Sequence, residues 1–429
     1  MNSVAFSKYI AVLVLTTLLA SSTLLRAQAG TLDQTFGTGG IVTTPNTTTG
    51  CGAVVNCTVA IQSDGKIVVA GSASEGNGAP ELALARYNTN GSLDSTFGSG
   101  GIVVFAENNG GPAFGLAIQT DGKIIVASPT SLKLDVFRYN TNGTLDATFG
   151  SGGIVSTNAA GLLIGAVPGG VALLSSGKIL VAVGDVLLRF LTDGQLDSSF
   201  GTGGVARLLS SAQTLALLSN GKPLVTSAFN FSAGSATRYN LNGSLDATFG
   251  VNGQAPSLGQ ALAIVPLSGG KFILAGTLDS AVPPSGGTTP QGFDLVRYNS
   301  NGTIDTTFGT HGAVVTTFTG NAYSAALAVA VQSNGDIVAA GVTEATNPVL
   351  GAGPSDFALA RYTPNGQLDT TFGNNGLVTT AFGTNGENLA GASALAIQSD
   401  GKIVVVGFDN SPTFGGPNNG FTLARYLGQ

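Results

Sequence analysis

Carboxylates are the residues of this sequence with the most chemistry in prospect. Of its 23 acidic residues, 13 stand outside any repeated phrase: Glu75, Glu81, Glu107, Asp135, Asp185, Asp193, Asp279, Asp294, Asp336, Glu344, Asp356, Glu387 and Asp409. Two carboxylates facing one sugar linkage can hydrolyse or eliminate across it. Carboxylates joined by backbone carbonyls can hold Ca²⁺. No loop carries the D-x-[DN]-x-[DN]-G calcium pattern, so calcium would be attracted by charge alone and without a dedicated loop.

Other chemistry is poorly supplied. His311 is the single histidine, in "FGTHGAV", and the surrounding repeat offers no serine–carboxylate constellation for a triad; it reads as a turn residue. With no second histidine and only two cysteines, the sequence argues against transition-metal sites and assigns no metal ligands. Cys51 and Cys57, six apart in "CGAVVNC", read as a disulfide closing a small loop, half a zinc site being the weaker reading. Tryptophan is absent, which leaves Tyr323 and Phe414 as weak stacking platforms for a sugar. "FGTGGIV" and its copies lack the Lys-Ser/Thr of a phosphate-binding loop and run into a strand.

These residues sit on a repeat. The phrase LDxTFG places its Asp at 33, 94, 146, 197, 246, 305 and 369, and an Arg stands at 86, 138, 189, 238, 297, 361 and 425. A tight-turn phrase recurs as QSDGK, QTDGK, SSGK, SNGK, SGGK, QSNGD and QSDGK. Asp-Gly or Asn-Gly between apolar β-formers is a strong hairpin signal, because such turns need positive φ. Each unit reads as four short strands: a (ALAIQ), b (KIVVAG), c (FALARY) and d (GIVTT), with NxNGxLDxTFGxGG joining c to d. Strands apolar on both faces must be covered on both sides, and units of this size bury themselves by stacking.

The ends favour a ring over an open solenoid, whose terminal repeats would need polar caps. The chain opens with an orphan LDQTFGTGGIVTT and stops after a seventh a, b and c. The expected fold is therefore all-β: a seven-bladed β-propeller of four-stranded antiparallel blades. Its ring is closed by the N-terminal strand d joining the C-terminal strands a–c.

The pattern "DGKIVVAG … FALARYNxNGSLDxTFGxGG" resembles the delta-60 repeat, a β-propeller domain of unknown function in secreted bacterial proteins, over 31–429. The resemblance implies a propeller and an exported bacterial protein, and it brings no catalytic residues. Copies three to five depart from the turn pattern.

Residues 1–29 read as a signal peptide: Lys8, an uncharged stretch over 10–25, and a small-x-small site at Ala27–Ala29. The propeller is then 30–429, a single domain with no membrane span once the signal is removed, secreted, periplasmic or surface-bound, and monomeric. Loss of Lys8 and Arg26 leaves 15 basic against 23 acidic residues, a net charge of −8 that argues against a nucleic-acid partner.

The charges of the frame read as structural. Each motif Asp caps its own turn and pairs with the Arg of its blade: Arg86–Asp94, Arg138–Asp146, Arg189–Asp197, Arg238–Asp246, Arg297–Asp305, Arg361–Asp369 and Arg425–Asp33. Antiparallel strands put the a–b and c–d connections, with all the repeated phrases, at one end of the ring, and the b–c and d–a connections at the other. Eleven of the 13 leftover acids belong to this variable end, all but Asp193 and Asp336, against the basic Lys133 and Arg207, which gives it a charge of −9.

Its b–c connections are long in copies five, six, seven and one, which are neighbours in a ring, and loops on a rigid scaffold tend to carry function. The expected binding residues are Glu75, Glu81, Asp279, Glu344, Asp356, Glu387 and Asp409. The expected function is non-enzymatic binding or scaffolding, with an extracellular protein, glycan or cation on this acidic face. The alternatives are a polysaccharide lyase or hydrolase using paired carboxylates, and a passive adhesion module. No catalytic residue and no cofactor are assigned, and Ca²⁺ is the ion the face would accept.

Overall fold

The computed structural model describes residues 28–44, 49–51, 57–73, 81–105, 111–129, 133–158, 168–227, 235–256, 260–277, 292–321, 323–344, 354–382, 389–409 and 420–429. They form seven antiparallel sheets, six of four strands and one of five, and a single 3₁₀ turn at Ser268–Gly270. We number the blades in chain order by their strands a to d. Blade 1 has a at Thr58–Ile61 and b at Ile67–Ala73, followed by c at Glu81–Tyr87 and d at Ile102–Phe105. Blades 2 to 6 begin with strand a at Gly115, Pro168, Ala212, Gln260 and Tyr323. Blade 7 takes a, b and c from Ala390–Ile397, Ile403–Asp409 and Thr422–Tyr426, and its fourth strand is Ile41–Thr43, paired through Ile41↔Ala424 and Thr43↔Thr422.

Strands a contact one another in cyclic order, and the a strand of blade 7 contacts that of blade 1. Seven apolar clusters fill the seams, each drawing side chains from two adjacent blades. The core is thus a ring of inter-blade seams, which is why strands b and c read as apolar on both faces.

The turns fold as their residues dictate. Gly65, Gly122 and Gly401 hold φ of 82°, 82° and 84° in the a–b hairpins. In blade 1 the chain edging strand b is split: Thr49–Gly50 pairs with Ser72 and Ala73, and Thr58–Ile61 with Ile67–Ala70. The Cys51–Cys57 disulfide ties these two pieces, with Cα atoms 5.3 Å apart.

Candidate functional site

At the end that carries the repeated phrases, charge is consumed by structure. Each strand-c Arg lies flat on the Phe of LDxTFG, 4.3–4.7 Å from the ring centroid. Its Nε donates to the motif Asp at 2.6–2.9 Å. A terminal nitrogen of each Arg also donates to a backbone carbonyl of the next blade, as Arg138 does to Thr192 at 2.5 Å and Arg425 to Thr89 at 2.5 Å. Thus each Arg joins two blades, a role that spacing within one repeat did not display.

Burial alone would raise the motif carboxyls, but hydrogen bonds from the Ser or Thr two residues on and the Lys and Arg charges outweigh it. Asp33 is held at about 2 by this balance, and the other six are also lowered. His311 adopts φ 56° in the turn where blades 1 to 3 and the N-terminal segment have glycine, so its place is set by backbone geometry.

The variable end differs. Asp135 accepts a hydrogen bond from Ser156 at 2.5 Å and pairs with Lys133 at 3.2 Å; Asp185 pairs with Arg207 at 2.8 Å. Glu81, Asp294, Glu344 and Asp356 have no ion pair among the described residues. Burial raises the carboxyls of Glu344 and Asp356, and pushes Asp294, which is only 5% exposed, up to about 7.

The acids are distributed among seams. Strand alternation turns Glu81 toward blade 7, Asp294 toward blade 4 and Asp356 toward blade 5. Among the described residues only Glu344 and Asp409 share a seam, from opposite walls: Glu344 follows Val338 and Ala340, and Asp409 follows Ile403 and Val405, into the cluster between blades 6 and 7. Their cross-strand partners are joined directly, since the Ala390 N–H donates to Ser355 Oγ at 3.0 Å, Ser355 opposing Glu344 and Ala390 opposing Asp409. Among the described residues no group of three acidic, His or Cys side chains is placed to hold a metal ion. Glu75, Asp279 and Glu387, with Glu107, lie outside the described residues.

Seven four-stranded antiparallel blades in a ring define a β-propeller. The chain belongs to the family described as "Domain of unknown function (DUF5122) beta-propeller", matching at 62–97, 119–149, 174–200, 218–249, 285–308, 332–372 and 398–427. No curated protein matches it in sequence. Among solved structures it is similar to virginiamycin B lyase from Staphylococcus aureus, at 12% identity and a TM-score of 0.51, covering 90% of this chain and 98% of that one. An extracellular domain from B. thetaiotaomicron shares 14% identity at a TM-score of 0.42, covering 88% of this chain and 39% of that one. At such identities the likeness is one of fold. No helix among the described residues is long and apolar enough to cross a membrane.

Proposed function

We propose that this chain is an exported, non-enzymatic binding module of delta-60-type repeats whose variable-loop face takes a cationic extracellular protein or glycan. The observation that carries the reading is the contrast between the two ends. Every LDxTFG carboxylate is neutralised within the frame, whereas Glu81, Glu344 and Asp356, each less buried than Asp294, have no cation beside them among the described residues. A rigid ring with an uncompensated negative rim favours a positively charged partner. The Cys51–Cys57 disulfide supports an oxidising, extracytoplasmic location.

The test is binding of exported polysaccharides and basic peptides at two ionic strengths, with Glu344→Gln, Asp356→Asn, Glu387→Gln and Asp409→Asn combined in one variant. Binding should weaken with salt and in the variant. Affinity indifferent to both sinks the reading. Thermal unfolding in millimolar Ca²⁺ and in chelator runs beside it, a calcium-dependent rise making the bound cation a metal ion. The second reading, a polysaccharide hydrolase or lyase, is favoured by one feature, the placement of Glu344 and Asp409 in one seam. A screen of the same polysaccharides that releases no reducing ends disposes of it.

A further inference from the structure

Six turn lysines place their ammonium groups on the motif aspartates, in every blade but one. The contacts are Lys66–Asp94 at 2.9 Å, Lys123–Asp146 at 2.8 Å, and Lys178–Asp197, Lys222–Asp246 and Lys271–Asp305 at 2.7 Å each, with Lys402–Asp33 at 3.3 Å. In blade 6 the lysine's position is taken by Asp336. The backbone there is unchanged: the Gln332 N–H donates to the Asp336 carbonyl at 2.8 Å, as Gln62 does to Lys66 and Gln398 to Lys402. The place of the ammonium is therefore open.

Asp369 Oδ2, which the ammonium would touch, keeps only Arg361, through its Nε and a terminal nitrogen at 2.8 Å each. The Asp369 side chain is 14% exposed, against 4–6% for its six counterparts. The local charge also becomes negative. Elsewhere an Arg and a Lys stand beside the motif Asp, joined in blades 1, 2 and 7 by a turn Asp at 64, 121 or 400; here the turn brings no lysine but Asp336, whose Oδ2 accepts from Asn334 Nδ2 at 2.7 Å. The floor is rigid, since Gln332 Nε2 donates to the Gly401 carbonyl of blade 7 at 2.9 Å and its Oε1 accepts from Arg361 at 3.4 Å.

We propose that this opening, at the end of the ring opposite the acidic loops, receives the side-chain ammonium of a lysine on a partner protein. The same carboxylate oxygen ligates an ammonium in six blades of this molecule, so the site's preference is displayed six times over. A divalent cation fits less well. Asp369 Oδ2 already lies against the Arg361 guanidinium, and no third acidic group stands by to complete a metal's oxygen shell. The site supplies one point of recognition, an exposed ion pair of modest strength on its own, so the partner's remaining contacts lie on the same face.

Thermal unfolding with n-butylammonium chloride, set against tetramethylammonium chloride at equal ionic strength, tests it. The quaternary ion carries the charge without an N–H to donate. The wild-type midpoint should rise saturably by about a degree with the primary amine alone. Asp336→Lys should melt higher without amine and lose the response. Lys402→Asp, which opens the same place in blade 7, should melt lower and respond about twice as strongly, a readout that stands even if Asp336→Lys fails to fold. Equal responses in wild type and Asp336→Lys, or none in wild type and Lys402→Asp, overturn the proposal. Nα-acetyl-lysine amide must bind at least as well as butylammonium; if it does not, the site takes only free amines and the partner assignment is overturned.

Discussion

Tyr362 donates a hydrogen bond to Thr316 Oγ1 across the seam between blades 5 and 6, at 2.8 Å. Tyr426 and Thr380 make the same contact between blades 6 and 7 at 2.8 Å, and Tyr87 and Thr44 make it between blades 7 and 1. Thr316 and Thr380 hold the fourth place of their strands d, and Thr44 stands in the corresponding place directly after Ile41–Thr43. In blade 1 that place is Phe105, which packs edge-on against Phe137 at 4.8 Å, and the buried Tyr139 hydroxyl has no hydrogen-bond partner among the described residues. Tyr362→Phe should therefore cost about 1 kcal/mol. Tyr139→Phe should leave stability unchanged or raise it by about 1 kcal/mol, because it removes a buried unsatisfied hydroxyl. Urea unfolding of the two variants decides it, and equal losses would count against the argument.

Arg361 holds more partners than its ion pair. It contacts Asp369, Thr371 and Gln332, lies on Phe372, and donates to the Gly428 carbonyl of blade 7. Removing it leaves Asp369 with neither Arg nor Lys, so Arg361→Ala should cost about 3–5 kcal/mol, as for other broken buried pairs. Arg361→Lys should recover little of that, since an ammonium cannot fork to Asp369 and Gly428 while lying on the ring. An unchanged melting midpoint in Arg361→Ala would refute this role.

The propeller was legible because each device that specifies it is local and is written seven times. The Asp-Gly turns, the two-faced apolar strands and the LDxTFG phrase are all short-range signals, and their period of 49–64 residues gave the blade. What was not legible lies between blades. No spacing within one repeat shows that Arg138 reaches the Thr192 carbonyl, or that Phe105 deprives Tyr139 of a partner. The acids illustrate the same limit. Sequence sorted Glu344, Asp356 and Asp409 to one end, but their faces depend on strand register, which sends Asp356 into the seam with blade 5 while Glu344 and Asp409 enter the seam between blades 6 and 7. The open ammonium place of blade 6 is different again, for Asp336 in "QSNGD" was visible as the one departure from lysine. Its meaning needed the six contacts that it lacks.

Asp294 makes stability depend on pH in the opposite direction from the motif aspartates. Burial lifts its folded carboxyl to about 7, whereas the unfolded one titrates near 4. Between those values the folded state binds the extra proton, so stability falls as pH rises through the window and is level above it. Asp294→Asn should accordingly gain on the wild type across pH 4–7, reaching about 2–4 kcal/mol at pH 8. A stability difference that does not change between pH 4 and pH 8 would show that the carboxyl titrates normally. Asp33, held at about 2, gives stability above pH 4 that is lost as pH falls toward 2.

In six seams the final Gly of LDxTFG donates its N–H to a turn carbonyl of the next blade, as Gly98 does to Asn142 and Gly309 to Asn365. The seventh, Gly373, donates to the Ala29 carbonyl at 2.8 Å, and Gln28 Nε2 returns a bond to the Gly373 carbonyl at 2.6 Å. Ala29 is itself buried in the seam between blades 6 and 7. Cleavage after Ala29, the small-x-small site, removes that carbonyl, orphans the Gly373 N–H and places a charged amino terminus at Gly30. A chain starting at Gly30 should thus be less stable than one starting at Gln28 by about 1–3 kcal/mol. Hydrogen exchange gives the local readout: the Gly373 amide should be protected in the longer chain and exchange faster in the shorter one. Equal protection would mean that another group takes over the Ala29 carbonyl's place.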